Sequence, residues 1–275
     1  MAIGYNWIGE RLETSITDQT MLEHLHRYAL AIAFIKGKKV LDIACGEGYG
    51  VSLLAKEAAW VTGIDIDKET IVKAKKKYAS PNIQFETGSI LAIPAEKGSF
   101  DVITCFETLE HLEEHDKILG ELKRVLAPGG LLIISTPERK NYSDTAGTRN
   151  EFHKKELYGA EFKTLLRSFF SHSFFCRQAS SVCSVIQPED PGTLEKIYTG
   201  DFTGIHEVPA IEPMYWIALA SDKELGPVTA SIFRHPRTFI QLLQEEQALL
   251  RKTATFRTGH LLLSPFKFFR NLFRK

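Results

Sequence analysis

Two groups of residues in this 275-residue chain carry side chains at spacings that suit chemistry. The first is Asp42-x-x-Cys45-Gly46-Glu47-Gly48-x-Gly50, where glycines alternate with other residues directly after an apolar run ending in an acid. Glycine lets the backbone turn sharply and lets a ligand press against main-chain amides. A pyrophosphate loop reads G-x-G-x-x-G and sets its phosphates on a helix N-terminus, a group that Asp42 and Glu47 would repel. The same carboxylates suit a ligand bearing an ammonium, and are electrostatically compatible with a sulfonium. The second group is Glu107-x-x-Glu110-His111, with His153 further along the chain. At one-turn spacing Glu107, Glu110 and His111 converge on one side of a helix. Carboxylate oxygens and imidazole nitrogens there form a ligand set for a divalent cation such as magnesium or manganese. The alternative is acid–base work without metal, in which neutral His111 or His153 takes the proton of an alcohol. Glu113, Glu114 and His115 follow immediately and read as a solvated acidic surface.

These residues need a frame, and Lys38 to Pro137 supplies a regular one. The patterns predict strands at 39–43, 60–64, 82–86, 100–105 and 131–135, with helices at 51–58, 68–78 and 114–126. Such alternation predicts a parallel sheet covered by helices on both faces, with ligands at the carboxyl ends of the strands. The second strand ends in Asp65, about 20 residues past the glycines, where a doubly wound sheet places an acid that accepts from ribose hydroxyls. Asp67 reads as the cap of the helix beginning at Lys68. Pro128-Gly129-Gly130 stops the last of these helices. Residues 138–153 are polar and read as a loop over the site, followed by a helix at 156–166 and strands at 169–176 and 214–220. Between those strands, residues 178–213 hold four prolines without periodicity and read as an insertion on the acceptor side. Ahead of the sheet, Thr20 to Phe34 has Leu22, Leu25, Ala29 and Ala33 at helical spacing. It reads as a helix laid against the domain with solvated histidines, Arg27 being its one candidate for the site.

The run VLDIACGEGYG resembles the first motif of the class I S-adenosylmethionine-dependent methyltransferases, and the helix, PGG turn and strand of LKRVLAPGGLLIISTP resemble a later part of the same family. The resemblance is firm from Lys38 to Pro137. It implies an α/β, doubly wound, mostly parallel seven-stranded sheet whose last two strands form an antiparallel pair. It implies S-adenosyl-L-methionine as cofactor, with contacts from Asp42, Ala44, Gly46, Glu47, Gly48, Asp65, Ile66, Ser89, Ile90 and Phe106. Ser89 stands where the family commonly carries an acid for the adenine amine; a serine hydroxyl can accept the same bond. The E-x-x-E-H motif resembles metal-dependent O-methyltransferases of the small-RNA 3'-end and ubiquinone-biosynthesis types, in which a later histidine completes the site; His153 matches it. GERLE at 9–13 and the order STPERKNYSD, NEFHKKEL, EFKTLL resemble methyltransferases linked to bacterial surface polysaccharide. That implies a sugar or sugar-phosphate oxygen as acceptor; the alternatives are a quinone-type hydroxyl, or a non-catalytic assembly module that keeps the fold.

Bulk properties bound these readings. Lysine plus arginine and aspartate plus glutamate both total 34, so nothing global calls for nucleic acid. The four cysteines show no C-x-x-C pairing, and reduced thiols in the cytoplasm are the simplest account. The first ten residues lack the basic and apolar regions of a secretory signal. The chain divides into a helical cap at 1–37, the main domain at 38–236 and a basic tail at 237–275. From Gln247 onward there is no acidic residue, and a helix starting at Pro265 would gather Phe266, Phe268, Phe269, Leu272 and Phe273 against Lys267, Arg270 and Arg274. That pattern suits a helix lying on an anionic inner-membrane surface, or one docked on protein.

Overall fold

The computed structural model describes residues 19–147, 149–181, 197–201, 204–208 and 210–234, with isolated positions beyond. GERLE, residues 182–196 and the aromatic tail lie outside the described residues. The chain divides into two compact units, residues 1–181 with 185–233, and residues 182–184 with 234–275. Everything that follows concerns the first.

In order come α1 (Gln19–Ile32), β1 (Lys39–Ile43), α2 (Tyr49–Leu54), β2 (Trp60–Asp65), α3 (Lys68–Lys77), β3 (Ile83–Thr87) and β4 (Phe100–Cys105). Then follow α4 (His115–Val125), β5 (Leu126–Pro137), α5 (Gly159–Phe169), β6 (His172–Gln178), β7 (Ile197–Asp201), β8 (Gly204–Val208) and β9 (Tyr215–Ser221). Seven strands form one sheet in the order β3-β2-β1-β4-β5-β9-β6. The first five run parallel, and β9 pairs antiparallel with β5 and β6. Strand order reverses between β1 and β4, and there the loops leaving the two carboxyl ends open a crevice.

Alternation along the strands splits the core. Leu41, Ile43, Ile103, Cys105, Leu132 and Ile134 pack with α4 and α5 on one face. Val40, Val102 and Ile133 pack with α1, α2 and α3 on the other. Strands buried on both faces read as continuous apolar runs, which is why Tyr215–Ser221 is so uniformly hydrophobic. It lies between β5 and β6 and is buried throughout.

Beyond shifts of up to about three residues at element ends, as where α5 and β6 begin at Gly159 and His172 instead of 156 and 169, the structure departs from the sequence expectations in three places. The first helix after the glycines starts at Tyr49 and ends at Leu54, because tighter turns at Lys56 and Glu57 bring the chain round to β2. The PGG segment is a bulge inside β5 and not simply a stop. Phe100 pairs with Leu126 and Val102 with Leu131, so residues 127–130 loop out, with Gly129 at φ +69°. Within the expected insertion, β7 and β8 form an antiparallel hairpin separated by two residues, an element too short for periodicity to reveal.

Candidate functional site

β1 delivers Asp42 into the crevice almost fully buried. Its Oδ1 accepts from the Thr104 hydroxyl at 2.6 Å and its Oδ2 from the Tyr28 hydroxyl at 3.1 Å. Burial pushes this carboxyl up to about 7, against the pull of those two donors and with a further push from Asp65. After Ile43 the backbone enters the left-handed region at Ala44 (φ +61°), Gly46 (φ +53°) and Gly48 (φ +88°). A non-glycine residue there stores strain of about 1 to 3 kcal/mol, the kind that surrounding structure retains at ligand sites. At Gly48 a Cβ would also lie 2.7 Å from the Phe85 ring, so only glycine lets the turn seat against β3.

Asp65 ties this turn to β2. Its Oδ2 accepts from the Gly46 amide and its Oδ1 from the Asp67 amide, both at 2.9 Å. Each carboxylate oxygen can accept more than one bond, so capacity remains for a diol. Asp67 caps α3 as expected, accepting from the Glu69 and Thr70 amides. Glu47 is paired with Lys77 at 2.6 Å at the surface. Ile66 is 72% exposed although apolar, and together with Gly88–Leu91 it forms the wall of the crevice beyond Asp65. The Ser89 hydroxyl accepts from the Leu91 amide at 3.2 Å, holding that turn.

On the other side, β4 is followed directly by Phe106, whose ring meets Tyr28 edge-on at 5.2 Å. Glu107 follows in the left-handed region (φ +49°). Its Oε1 accepts from the Ser135 hydroxyl at 2.5 Å and lies 3.6 Å from Nη1 of Arg27. Arg27 is fully buried, donates from Nε to Gln178 at 2.8 Å and sits 4.4 Å over the Tyr215 ring. Among the described residues its Nη1 and Nη2 meet no hydrogen-bond acceptor.

The E-x-x-E-H segment is not one helix face. Glu107 precedes a short 3-10 turn, Leu109–His111, and turns toward Ser135. Glu110, His111 and His153 are the residues whose ligand atoms gather, all within 4.8 Å of one another. Glu107 is therefore set apart from the ligand group in which the spacing placed it. Glu110 is buried, and burial together with the charge of Glu107 raises its carboxyl well above the usual range. Its main-chain carbonyl accepts from the Lys154 and Lys155 amides at 2.8 and 3.0 Å, which fastens the distant His153 segment to this turn. His111 and His153 meet edge-on at 5.1 Å, and Tyr142 stacks on His153 at 5.4 Å. His115 is buried, bonded through Nε2 to the Leu109 carbonyl at 3.0 Å, and so is no part of a solvated surface.

These parts line one cavity of about 610 Å³, into which all the candidate residues open: Asp42, Ala44, Gly46, Glu47, Asp65, Ile66, Ser89, Ile90, Phe106, Glu107, Glu110, His111 and His153. Gly48 and Arg27 are the exceptions, both acting from behind, Gly48 through its packing and Arg27 beside Glu107. Sequence reasoning missed Tyr49, Tyr142, Asn150 and Tyr215, which complete the walls, and Tyr28 and His24 from α1. His24 is not solvated: burial and the Arg27 charge push its imidazole down to about 3, and it bonds the Tyr49 hydroxyl at 3.0 Å. The N-x-x-H-x-x-E spacing around His153 was the available signal for Asn150 and Glu156.

Residues 35–195 match a family described as a methyltransferase domain. A protein of Mycolicibacterium smegmatis named "Probable S-adenosylmethionine-dependent methyltransferase" is 38% identical over 133 residues, 48% of this chain and 51% of its own length. A ubiquinone biosynthesis O-methyltransferase of Psychrobacter arcticus is 30% identical over 222 residues, 78% of this chain and 77% of its own. The chain spans about half the length of the first curated relatives it matches. Among solved structures, a SAM-dependent methyltransferase from Thermotoga maritima superposes with a TM-score of 0.53 at 16% identity, covering 74% of this chain and 91% of that one. The YcgJ protein of Bacillus subtilis does so at 0.51 and 18%, covering 73% and 100%. At these identities the structural likeness speaks for the fold alone.

Proposed function

Because the chain belongs to the methyltransferase-domain family, we propose that it binds S-adenosylmethionine in one half of the cavity and moves the methyl group to a hydroxyl oxygen held in the other. The observation that carries this reading is the continuity of the two halves, with the Asp42–Glu47 turn, Asp65 and Ile66 facing the Glu107–Leu112 turn, Tyr142 and His153 across one space. The residues fit the cofactor. Exposed Ile66 offers an apolar surface that a purine would cover, Asp65 offers acceptors for ribose hydroxyls, and Asp42 and Glu47 complement a cation. Ser89 and the Ile90 amide would meet the edge of the ring, and Phe106 would meet the methionine portion.

S-adenosylmethionine supplies an electrophilic methyl on a sulfonium. Charge collapses in the transfer, so the protein's work is in-line positioning and removal of the acceptor proton. His111 or His153 takes that proton, and the Glu107 carboxylate, held by Ser135, opens on the same cavity. Glu110, His111 and His153 also suit a divalent cation, magnesium or manganese, which would favour the deprotonated hydroxyl; the two imidazole donors support a cation that tolerates nitrogen, such as manganese, over magnesium. For the acceptor, the aromatic walls Tyr142 and Tyr215, with no lysine or arginine on the cavity among the described residues, support an uncharged ring bearing hydroxyls. A sugar of a surface-glycan precursor and a phenol of quinone type both answer to that, and the relative from ubiquinone biosynthesis favours the second. The basic, phenylalanine-rich tail is proposed as a membrane-surface anchor.

Calorimetry with S-adenosylhomocysteine and NADH tests the cofactor: tight binding of the first and none of the second is expected. Asp65→Ala should weaken S-adenosylhomocysteine by about 1.5 to 3 kcal/mol for each charge-assisted bond lost; unchanged affinity would sink the assignment. Full turnover in EDTA, with no metal in the protein, would remove the cation and leave an imidazole as base. Labelled-methyl transfer to a catechol and to glycan-precursor extracts separates the acceptors. Sedimentation with anionic vesicles, comparing the intact chain with one truncated after Thr258, decides the tail.

A further inference from the structure

We propose that Glu156 is a positioning residue that fixes His153 as the Nδ1–H tautomer, so that the Nε2 lone pair is the one available on the cavity side. This rests on the reading of His153 as base or ligand.

The deduction starts at a backbone amide. The Phe152 N–H can only donate, and it donates to Oδ1 of Asn150 at 3.0 Å. That settles which end of the Asn150 amide is oxygen. The nitrogen end therefore faces His153, with Nδ2 at 3.1 Å from Nε2. An amide nitrogen donates and does not accept, so Nε2 is the acceptor and a neutral ring carries its proton on Nδ1. That N–H meets Oε1 of Glu156 at 2.5 Å.

Both side chains are buried, at 6% and 7% exposure, so water does not compete for the bond. A charge-assisted bond in such surroundings is strong and short. The Tyr142 ring, stacked within 26° of the imidazole plane, limits rotation about the same axis. His111 obeys the same logic: its Nδ1 lies 3.3 Å from the Phe152 carbonyl, which only accepts. Phe152 thus touches both networks, orienting Asn150 through its N–H and meeting His111 through its carbonyl, while Glu156 supplies the acceptor that holds the His153 proton on Nδ1.

The consequence is common to both chemistries. A base and a metal ligand each need a lone pair on the cavity-side nitrogen, and an Nε2–H tautomer offers none. Asn150 and His153 both line the cavity, so the Asn150 N–H guards the lone pair until a hydroxyl or an ion displaces it. Nothing in the residue type of Glu156 alone would mark it; the hydrogen bonds from Asn150 to His153 and from His153 to Glu156 join the three side chains in one row.

The test reads the tautomer directly. Long-range 15N–1H correlation spectra of the full, metal-free chain distinguish the two forms, with the His153 signals identified by their loss in His153→Gln. The wild type is expected to show Nδ1–H at His153. Glu156→Gln, whose carbonyl still accepts, should retain it, and Glu156→Leu should populate Nε2–H. In parallel, Mn2+ affinity should fall about 10- to 100-fold in Glu156→Leu and much less in Glu156→Gln. S-adenosylhomocysteine affinity should stay within about twofold, reporting an intact fold and cofactor half. Nε2–H in the wild type, or an unaltered tautomer and Mn2+ affinity in Glu156→Leu, overturns the proposal. If the wild type binds no Mn2+, the metal reading falls, while the tautomers still decide the role of Glu156. Should Glu156→Leu fail to fold, the wild-type and Glu156→Gln spectra decide it alone.

Discussion

The two halves of the cavity are built differently. On the side proposed for the cofactor, Asp42 to Gly48 is one continuous turn, and its supports are a carboxylate on the adjacent strand and the turn's own amides. On the side proposed for the acceptor, Glu107, Glu110, His111 and His153 come from separated segments. They are held by Ser135 and Arg27, by amides at Lys154 and Lys155, and by Glu156. A contiguous turn depends on backbone geometry, so its weak points are glycines. An assembled group depends on buried side-chain bonds, and its weak points are the residues behind it.

The largest effect should come from breaking the turn. Gly48→Ala puts a Cβ into the Phe85 ring and into an unfavourable φ, and should cost about 2 to 5 kcal/mol. Urea unfolding measures it, and S-adenosylhomocysteine binding should fall with it. A stable, fully binding Gly48→Ala protein would show that the turn tolerates a shift and is no rigid cradle.

Arg27→Met attacks the other half. It removes the charge beside Glu107 while keeping apolar bulk over Tyr215. The pair is separated by 3.6 Å without a hydrogen bond and Glu107 is partly exposed, so the stability cost should be about 1 to 3 kcal/mol, below that of a fully buried pair. Turnover should drop while S-adenosylhomocysteine affinity changes little. Equal losses in both would mean that α1 serves the cofactor half as well.

Asp42 sharpens the comparison through pH. Its carboxyl is raised from 3.8 to about 7 by burial, so the folded state keeps a proton that the unfolded chain releases between those values. Stability contributed by the neutral form is present at low pH and is lost as pH rises from about 4 to about 7, with a flat course above. Asp42→Asn should flatten that slope by up to a few kcal/mol in urea melts at pH 4.5 and 7.5. A slope as steep as in wild type would assign it to other groups.

Glu47→Gln should do least. Its pairing with Lys77 is largely solvent-accessible, and such pairs contribute about 0 to 1 kcal/mol. The melting midpoint should barely move. Any loss of cofactor affinity would then belong to the missing charge and not to a disturbed fold.

The parallel sheet, its strand windows and the cofactor turn were legible because their causes are local. Continuous apolar runs mark strands buried on both faces, and Gly48 announces a conformation that other residues resist. Asp65 and Asp67 were separable by position, one at a strand end and one at a helix start, and their hydrogen bonds agree. The E-x-x-E-H spacing marked Glu110 and His111 as neighbours but wrongly drew Glu107 into their group. A left-handed Glu107 followed by a 3-10 turn breaks the helical period that would have aligned all three.

What the sequence determined by itself was the class of fold, the turn and the residue types along the crevice, since backbone preference and hydrophobic period act over a few neighbours. What only the tertiary structure decided was the partnership of side chains far apart in the chain. Arg27 meets Glu107, Tyr28 meets Asp42, and the segment of His153 is fastened to Glu110 because β1, β4 and β5 converge at the point where strand order reverses. Burial then assigns those groups their protonation and their tautomers, for desolvation is a property of the assembled core and of no single stretch of sequence.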